Sequence, residues 1–230
     1  MASHCQCNRG YFIDIDTGIY LIHDFLTNRF VCVGLNTLLG YYEYMKDAVD
    51  IPKLDLTLYI DDSLFLRQLR MDGDVDDLFA LTDANREYIG KWLPWVENVN
   101  SPEDSKKFIA SLLQDRKGGT TLGYGIFVND ELVGHISLMH LSDDKDPEIG
   151  YWISSGASGK GITTAAANKL TDFGFSVLRL PKIVIRARPE NIASNKVAEK
   201  LGYILDGMAE SENTGEVVNV WSKRNSIAKS

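Results

Sequence analysis

The six residues from Gly156 to Gly161 have the composition of a phosphate-binding loop. Three of them are glycines, which tolerate positive φ angles and leave no Cβ between the backbone and a ligand. Lys160 adds a positive charge, and an amphipathic run follows the loop directly. Free N–H groups at the start of a helix favour an anion such as a pyrophosphate. The segment therefore predicts an anion site at a helix N-terminus.

Two common phosphate-binding motifs do not fit this loop. A P-loop has Ser or Thr directly after its Lys, whereas Gly161 follows Lys160 here. A Rossmann loop belongs to an early strand–helix–strand unit. This loop comes late in the chain, after segments that predict antiparallel hairpins, so the surrounding elements have to be identified first.

The elements around the loop alternate between strand and helix patterns. Two apolar runs across a short polar turn predict a hairpin at 124–128 and 132–138. The loop itself is preceded by a strand at 148–153 and followed by a helix at 160–177. Asn191 and Gly202 mark the start and end of the next helix. Three further strands are predicted at 183–185, 203–208 and 217–221.

The earlier part of the chain is expected to contain one strand and two helices before the hairpin. The strand is predicted at 63–70, and helical spacing follows at 75–89 with Asp72 or Asp74 as N-cap. Ser101 and Pro102 open another helix, which ends at Gly118. We assign residues 56–230 to one α/β domain with a mixed sheet. Residues 1–55 are expected to be an appendage of unknown function, with a short hairpin turning at 16–18 and a helix at 38–45.

The loop resembles the acyl-CoA-binding motif Gln/Arg-x-x-Gly-x-Gly/Ala of the GNAT acetyltransferase superfamily. Gly156 replaces the family's first residue, which removes a side-chain contact but keeps the backbone cradle. Further segments, in family order and spacing, resemble its ribosomal-protein N-acetyltransferase branch: 66–69, 92–95, 148–152, 159–163 and 191–195. The resemblance covers about residues 55 to 225. It implies a GNAT-type sheet, mixed and mostly antiparallel, flanked by helices.

The resemblance also implies acetyl-CoA as co-substrate and direct transfer of its acetyl group to a primary amine. No Cys lies in the motif region, so a covalent acyl-enzyme is not expected. Backbone N–H groups of the strand before the loop would polarise the thioester carbonyl. The residues implied in co-substrate binding are Trp152, Ile153, Ala157, Ser158, Gly159, Lys160, Gly161, Ile162, Thr163 and Asn191.

Two residues are catalytic candidates by the same resemblance. Glu148 would remove a proton from the acceptor amine, and Ser194 would protonate or hydrogen-bond the leaving thiolate. Glu210 and Glu212 are rival bases. The plainer interpretations are a solvated carboxylate at a strand end for Glu148 and a solvent-facing helical position for Ser194.

Two tryptophans, Trp92 and Trp95, flank a proline between the first two helices. They would form either an aromatic wall of the acceptor site or a loop that seals the core. No metal site is expected. His135 and His140 lie on a strand without a third ligand, and the cluster of His4, Cys5 and Cys7 lacks a fourth.

Composition limits the partners. With 24 Lys+Arg against 32 Asp+Glu, the net charge of −8 argues against a dedicated nucleic-acid binder. The sequence contains no run of 18 apolar residues, so no membrane span is predicted. The absence of a signal-peptide pattern makes the cytoplasm the expected location.

The branch resemblance favours a protein N-terminal α-amine as acceptor, such as that of a ribosomal protein. Alternatives are a small amine (polyamine, aminoglycoside or amino acid) or a non-catalytic acyl-CoA sensor, and self-association stays open.

Overall fold

The structure is a computed structural model that describes residues 12–14, 19–24, 29–34, 57–211 and 214–225. The chain divides into two compact units, Met1–Val49 and Asp50–Ser230. The first contains three antiparallel strands in the order β1 (Phe12–Asp14), β2 (Ile19–Asp24) and β3 (Arg29–Gly34). The pairing of β1 with β2 confirms the predicted hairpin. The helix predicted at 38–45 lies outside the described residues.

An eight-stranded sheet forms the centre of the second unit. In chain order its strands are β4 (Leu58–Tyr59), β5 (Leu64–Arg67), β6 (Leu122–Val128), β7 (Glu131–Met139), β8 (Glu148–Ile153), β9 (Lys182–Ala187), β10 (Ile204–Glu210) and β11 (Val217–Arg224). They lie side by side in the order β10-β11-β9-β8-β7-β6-β5-β4. Every neighbouring pair is antiparallel except β8 and β9. This confirms the predicted mixed, mostly antiparallel sheet.

The α-helices of the described residues flank this sheet. They are α1 (Val75–Ala84), α2 (Arg86–Gly90), α3 (Pro102–Lys117), α4 (Ile162–Ser176) and α5 (Ile192–Lys200). The start of α3 after Ser101 and the start of α5 after Asn191 confirm two predicted boundaries. Within the part of the chain that the structure describes, no helix is long and apolar enough to cross a membrane.

The sheet has a separate hydrophobic core on each face, because successive strand residues point to opposite faces. On one face, Leu170 of α4 packs in a cluster with Ile149 of β8. On the other face, Ile109 of α3 packs in a cluster with Trp152, also of β8. Strand β8 therefore contributes to both cores, which fixes its position between the two helical layers.

The helix predicted over 75–89 is divided in the structure. Asn85 separates α1 from α2 and has φ −116° and ψ 16°, outside the helical region. Its amide donates to the Leu81 carbonyl (2.8 Å) and accepts from Ser155 (2.8 Å), the residue directly before the glycine-rich loop at 156–161. The prediction of one continuous helix was wrong at Asn85, because its side chain bonds to a loop 70 residues away.

The strand predicted at 63–70 ends at Arg67. Asp74, one of the two N-cap candidates, does occupy the N-cap position of α1, but its carboxylate does not cap the helix. It accepts a bidentate pair of bonds from Arg67 (2.6 and 2.7 Å) and another from the Arg70 N–H (2.6 Å). These bonds fold the chain back after Arg67 and so end the strand.

Candidate active site

Strands β8 and β9 pair at one position and then separate. Their ladder has one pair, Glu148 with Val184, and the Val184 N–H also donates to the Pro147 carbonyl (2.8 Å). On its other edge β8 pairs with β7 along its whole length, from Glu148 to Ile153. The backbone of β8 that faces β9 beyond Glu148 therefore borders an opening. A cavity of about 960 Å³ lies there, lined by both strands.

The glycine-rich loop lies at the same opening. Gly159 (φ 75°) and Gly161 (φ 80°) take left-handed conformations, and Gly161 is the N-cap of α4. A Cβ built at either glycine would meet nothing within 4 Å. The N–H groups of Ile162 and Thr163 have no acceptor within the helix, because they belong to its first turn. The loop thus presents backbone donors and a helix dipole to an uncrowded space, as an anion site requires.

Most residues predicted to bind the co-substrate border this cavity. They are Trp152, Ile153, Ala157, Ser158, Gly159, Gly161, Ile162, Thr163 and Asn191. Lys160 does not line the cavity, but its side chain is exposed beside the loop. Gly156 has an ordinary φ and open space around its Cβ position, so nothing in the backbone requires glycine there.

Two residues that the sequence did not single out hold the loop in place. Asn85 accepts bonds from both the N–H and the hydroxyl of Ser155 (2.8 Å each). The Tyr88 hydroxyl donates to the Ser158 hydroxyl (2.8 Å). The junction between α1 and α2 is therefore bonded to the residue before the loop, and α2 is bonded to the third residue of the loop. An Asn inside a helical pattern was the one available signal, and it did not indicate its partner.

Ser194 lies one turn inside α5 and contacts β8. Its N–H donates to the Asn191 side chain (3.1 Å), which confirms the predicted N-cap. Its hydroxyl lies 3.0 Å from the hydroxyl of Tyr151, and either oxygen can be the donor. Burial raises the pKa of Tyr151 to about 12, although the Ser194 hydrogen bond opposes the shift. Tyr151 is thus a protonated hydroxyl at the cavity wall, a role that its place in the segment 148–152 does not indicate.

The carboxylate of Glu148 is half-buried at the point where the strands separate. It forms an ion pair with the Arg186 guanidinium of β9, and both side chains line the cavity. Of the rival bases, Glu210 is exposed at the end of β10 and also borders the cavity. Glu212 lies outside the described residues. A further carboxylate, Glu216, accepts from Arg188 at 2.8 Å.

Both predicted tryptophans line the cavity, but their surroundings differ. The ring of Trp92 lies under two cations, the Arg188 guanidinium at 5.3 Å and the Lys91 ammonium at 4.8 Å. Trp95 is 40% exposed and contacts other aromatic rings instead. The two residues therefore offer different kinds of surface.

Neither His135 nor His140 lies in a group of side chains that could bind a metal ion. His135 is buried, and burial lowers its pKa to about 4, so it is a neutral side chain at pH 7. The Nδ1 atom of His140 lies 2.8 Å from the Asp143 carboxylate. Among the described residues, no group of three or more His, Cys, Asp or Glu side chains could hold a metal ion. His4, Cys5 and Cys7 lie outside those residues.

Comparison with known proteins gives matches over most of the second unit. The model of a family described as acetyltransferase (GNAT) domain matches residues 63–204. The ribosomal-protein-serine acetyltransferase of Escherichia coli (strain K12) is 32% identical over 152 residues, 66% of this chain and 84% of that protein. The putative ribosomal N-acetyltransferase YdaF of Bacillus subtilis (strain 168) is 33% identical over 138 residues, 59% and 75% of the two chains.

A solved structure extends the comparison to three dimensions. It is that of the microcin C7 self-immunity acetyltransferase MccE in complex with acetyl-CoA and AMP. Its TM-score is 0.66 at 28% identity, over 72% of this chain and 94% of that one. The range matched by the family model contains β5 to β9, α1 to α5 and the glycine-rich loop.

Proposed function

Because the chain belongs to the acetyltransferase (GNAT) domain family, we propose that it acetylates the α-amine of a protein N-terminus, such as that of a ribosomal protein. It is an N-acetyltransferase, and acetyl-CoA is its co-substrate. The observation that carries the proposal is the opening between β8 and β9 beside the glycine-rich loop. It brings an anion site, a line of backbone groups and several proton-transfer candidates to one cavity.

The loop has the properties that a co-substrate with a pyrophosphate needs. Acetyl-CoA supplies an acetyl group that is activated as a thioester. The open space at Gly159 and Gly161 allows close backbone approach, and the first-turn N–H groups of Ile162 and Thr163 would hold the pyrophosphate. Backbone N–H groups of β8 that face the opening would stabilise negative charge on the carbonyl oxygen.

Ser194 would serve the leaving thiolate. Its hydroxyl lies on the first turn of α5 and borders the cavity, which supports a role as proton or hydrogen-bond donor. Tyr151 would hold that hydroxyl in place through the 3.0 Å contact. Because its pKa is raised to about 12, Tyr151 keeps its own proton throughout the neutral range.

Glu148 would accept the proton of the incoming ammonium, directly or through a water molecule. An acceptor amine is mostly protonated at pH 7, so one proton has to leave before the nitrogen can attack. The ion pair with Arg186 holds the carboxylate at the strand separation, next to the cavity. Glu210 and Glu212 stay alternative bases.

The two relatives named for ribosomal proteins support a protein N-terminus. A small amine, such as a polyamine, an aminoglycoside or an amino acid, is the alternative. The assignment of residues 1–55 to an appendage and any self-association stay predictions.

A panel of amines tests the proposal directly. Peptides with a free N-terminal Ser or Ala, the same peptides with a blocked N-terminus and an internal Lys, spermidine, an aminoglycoside and free amino acids are each incubated with acetyl-CoA. Mass spectrometry then locates the added acetyl group. We expect acetylation of the free-N-terminus peptides alone. Acetylation of the small amines with none on the peptides would contradict the proposal.

A further inference from the structure

The cavity passes through the sheet from one helical layer to the other. It is lined by Phe108 of α3 and by Trp152, which belongs to the core under α3. It is also lined by Ile162 of α4 and by Val197 of α5, which belongs to the core on the opposite face. Because the two cores lie on opposite faces of the sheet, the opening between β8 and β9 connects the two faces.

One end of this opening is closed by the strands themselves. Glu148 of β8 pairs with Val184 of β9, and its carboxylate forms an ion pair with Arg186. Towards the other end, β8 continues to Ile153 and β9 to Ala187 with no further pair between them in the described ladder. The closure of that wider end therefore depends on residues outside the sheet.

The short helix α2 crosses the wider end of the opening. On the β8 side, the Tyr88 hydroxyl lies 2.8 Å from the Ser158 hydroxyl, and the Asn85 side chain bonds to Ser155. Tyr88 and Ile89 also line the cavity. The first end of α2 is therefore attached to the segment that follows β8.

On the β9 side, Arg188 attaches the other end of α2. This residue directly follows β9, and its guanidinium donates to the carbonyl of Lys91, the C-cap of α2 (2.5 Å). The same guanidinium lies over the Trp92 ring at 5.3 Å and donates to Glu216 at 2.8 Å. Three contacts thus fix this side chain, and Arg188 forms a latch between β9 and α2.

These contacts complete a ring around the cavity. The ring runs along β8 to Ser155, through Asn85 and α2 to Lys91, through Arg188 into β9, and back to Glu148. Each step is a segment of the chain or one of the contacts given above. A ligand in the opening is therefore enclosed on all sides, and while Arg188 holds Lys91 it can leave only through one face of the sheet or the other.

We propose that α2, latched by Arg188, makes the strand opening a closed ring that acetyl-CoA has to enter arm first. The inference rests on the proposed function, which places the pyrophosphate at Gly159 and Gly161. The pantetheine arm is a narrow flexible chain, whereas the nucleotide is wide, so the arm passes through the ring and the nucleotide stays behind on the α4 side. The acetyl group then faces the acceptor on the α3 side.

This arrangement allows turnover without any movement of α2. The neutral amine attacks the thioester carbonyl carbon, the C–S bond breaks, the nitrogen loses a proton and the thiolate gains one. Because the C–S bond is the only link between the two halves, the acetylated acceptor leaves from the α3 side and CoA from the α4 side. A closed ring therefore does not hinder the reaction, but it excludes ligands that are wide at both ends.

A ligand whose second end can be made wide on demand tests the ring. CoA carries a fluorophore on its ribose and, on its sulfur, a flexible linker that ends in biotin and is long enough to emerge on the α3 side. Streptavidin is added either before or after this conjugate meets the full chain. Fluorescence anisotropy gives the association rate, and a chase with unlabelled CoA gives the dissociation rate.

We expect the order of addition to decide the result. Streptavidin added first should slow association by about 10- to 10³-fold, because α2 must then open and lose a charged hydrogen bond and a cation–π contact. Streptavidin added second should slow dissociation by a similar factor, because the wide end can no longer withdraw through the ring. In a site that is open along one side, neither rate would depend on streptavidin.

Variants that open the ring at either end should remove both effects. Arg188→Gln removes the latch on the β9 side, and Asn85→Ala combined with Tyr88→Phe detaches α2 on the β8 side. Arg86→Gln is the control and should keep both effects. The Arg86 guanidinium, on the same helix, donates to two carbonyls of the segment 96–99, so its loss leaves the ring closed.

Two results would overturn the ring: no effect of streptavidin in either order, or effects of unchanged size in both opened variants. Calorimetry with underivatised acetyl-CoA, together with the amine panel, keeps this inference apart from the proposed function. If acetyl-CoA binds and the peptides are acetylated but the order of addition has no effect, the ring is wrong and the proposed function stands. If the order effects are present but no peptide is acetylated, the ring stands and the proposed acceptor is wrong. A chain that binds no acetyl-CoA contradicts both.

Discussion

Ser194 and Tyr151 share one hydrogen bond, and its direction decides what Ser194 can donate. Besides the Ser194 hydroxyl at 3.0 Å, the Tyr151 hydroxyl lies 3.3 Å from the Ser194 carbonyl. If Tyr151 donates to the serine hydroxyl, the serine proton is free to turn into the cavity. If Tyr151 donates to the carbonyl, the serine proton points back at the tyrosine. The first arrangement is the one that would help a leaving thiolate.

Replacing Ser194 tests its role in the chemical step. We expect Ser194→Ala to lower kcat by about 10- to 10⁴-fold, the usual scale for a positioned proton donor. The dissociation constant for acetyl-CoA, measured by calorimetry, should hardly change. Ser176→Ala is the control, because that exposed hydroxyl bonds to a carbonyl of its own helix. A fully active Ser194→Ala enzyme would reduce Ser194 to a helix position.

Glu148 is tested by the dependence of its variant on pH. Glu148→Gln keeps the shape of the side chain but cannot take a proton, so we expect a lower rate with unchanged acetyl-CoA binding. The defect should shrink as pH rises, because the acceptor amine then loses its proton to solvent. Glu210→Gln and Glu212→Gln are measured beside it. If Glu148→Gln keeps the wild-type pH–rate profile while Glu210→Gln or Glu212→Gln loses most of its activity, the base is Glu210 or Glu212 instead.

At the scale of elements, the sequence predicted those strand and helix boundaries that neighbouring residues determine. The bounds of β8 and the starts of α3 and α5 follow from hydrophobic spacing, from Pro102 after Ser101 and from the Asn191 cap. The division of α1 from α2 does not, because Asn85 leaves the helical region while bonded to Ser155. That partner is set by how the layers pack.

The same distinction applies to the candidate site. The glycine-rich loop was recognisable because its composition, its place after a strand and its helix lie within one short segment. The contact of Tyr151 with Ser194 joins residues 43 apart, and that of Tyr88 with Ser158 joins residues 70 apart. Neither pair has a spacing that sequence periodicity could detect. Residue types alone could nominate Ser194 but could not give its partner.

Two substitutions at one glycine separate charge from backbone strain in the loop. Gly159→Glu should abolish acetyl-CoA binding, because a carboxylate would enter the anion site. Gly159→Ala introduces the same backbone strain, because any residue with a Cβ is strained in the left-handed conformation, but it adds no charge. We therefore expect it to weaken acetyl-CoA binding less than Gly159→Glu does. Gly73→Glu, in an exposed turn with open space around it, is the control. Calorimetry that gives an unchanged affinity for Gly159→Glu would remove the loop from the co-substrate site.

At the scale of the whole molecule, the unfolding equilibrium should sense one buried side chain. His135 has a pKa of about 4 in the folded protein because of burial, against about 6.5 when it is exposed. Between these values the unfolded chain binds the proton and the folded chain does not. Stability from this group is therefore present above pH 6.5 and is lost as pH falls towards 4.

The loss can be measured by urea unfolding at pH 7 and pH 5. The His135 contribution to the free energy of unfolding should fall by about 2 kcal/mol between them. In His135→Gln, the difference between the two pH values should be smaller than in wild type by that amount. His140→Gln, at a partly exposed histidine paired with Asp143, is the comparison. Equal differences in wild type and His135→Gln would show that this histidine is not buried in its neutral form.

Because β8 and β9 share one residue pair, the sheet consists of two groups of strands, here called plates, that are joined at a single position. One plate has the five strands β4 to β8, and the other has β9, β11 and β10. Pivoting about Glu148 and Val184 widens or narrows the gap without breaking any other rung of the described ladder. Besides the Glu148–Arg186 ion pair, the helical layer holds the gap, because Leu170 of α4 and Ala198 of α5 share a core with Ile149 and Ile183 from the two groups of strands. A substitution at Leu170, Ala198 or Ile183, none of which lines the cavity, would therefore change the gap through the core.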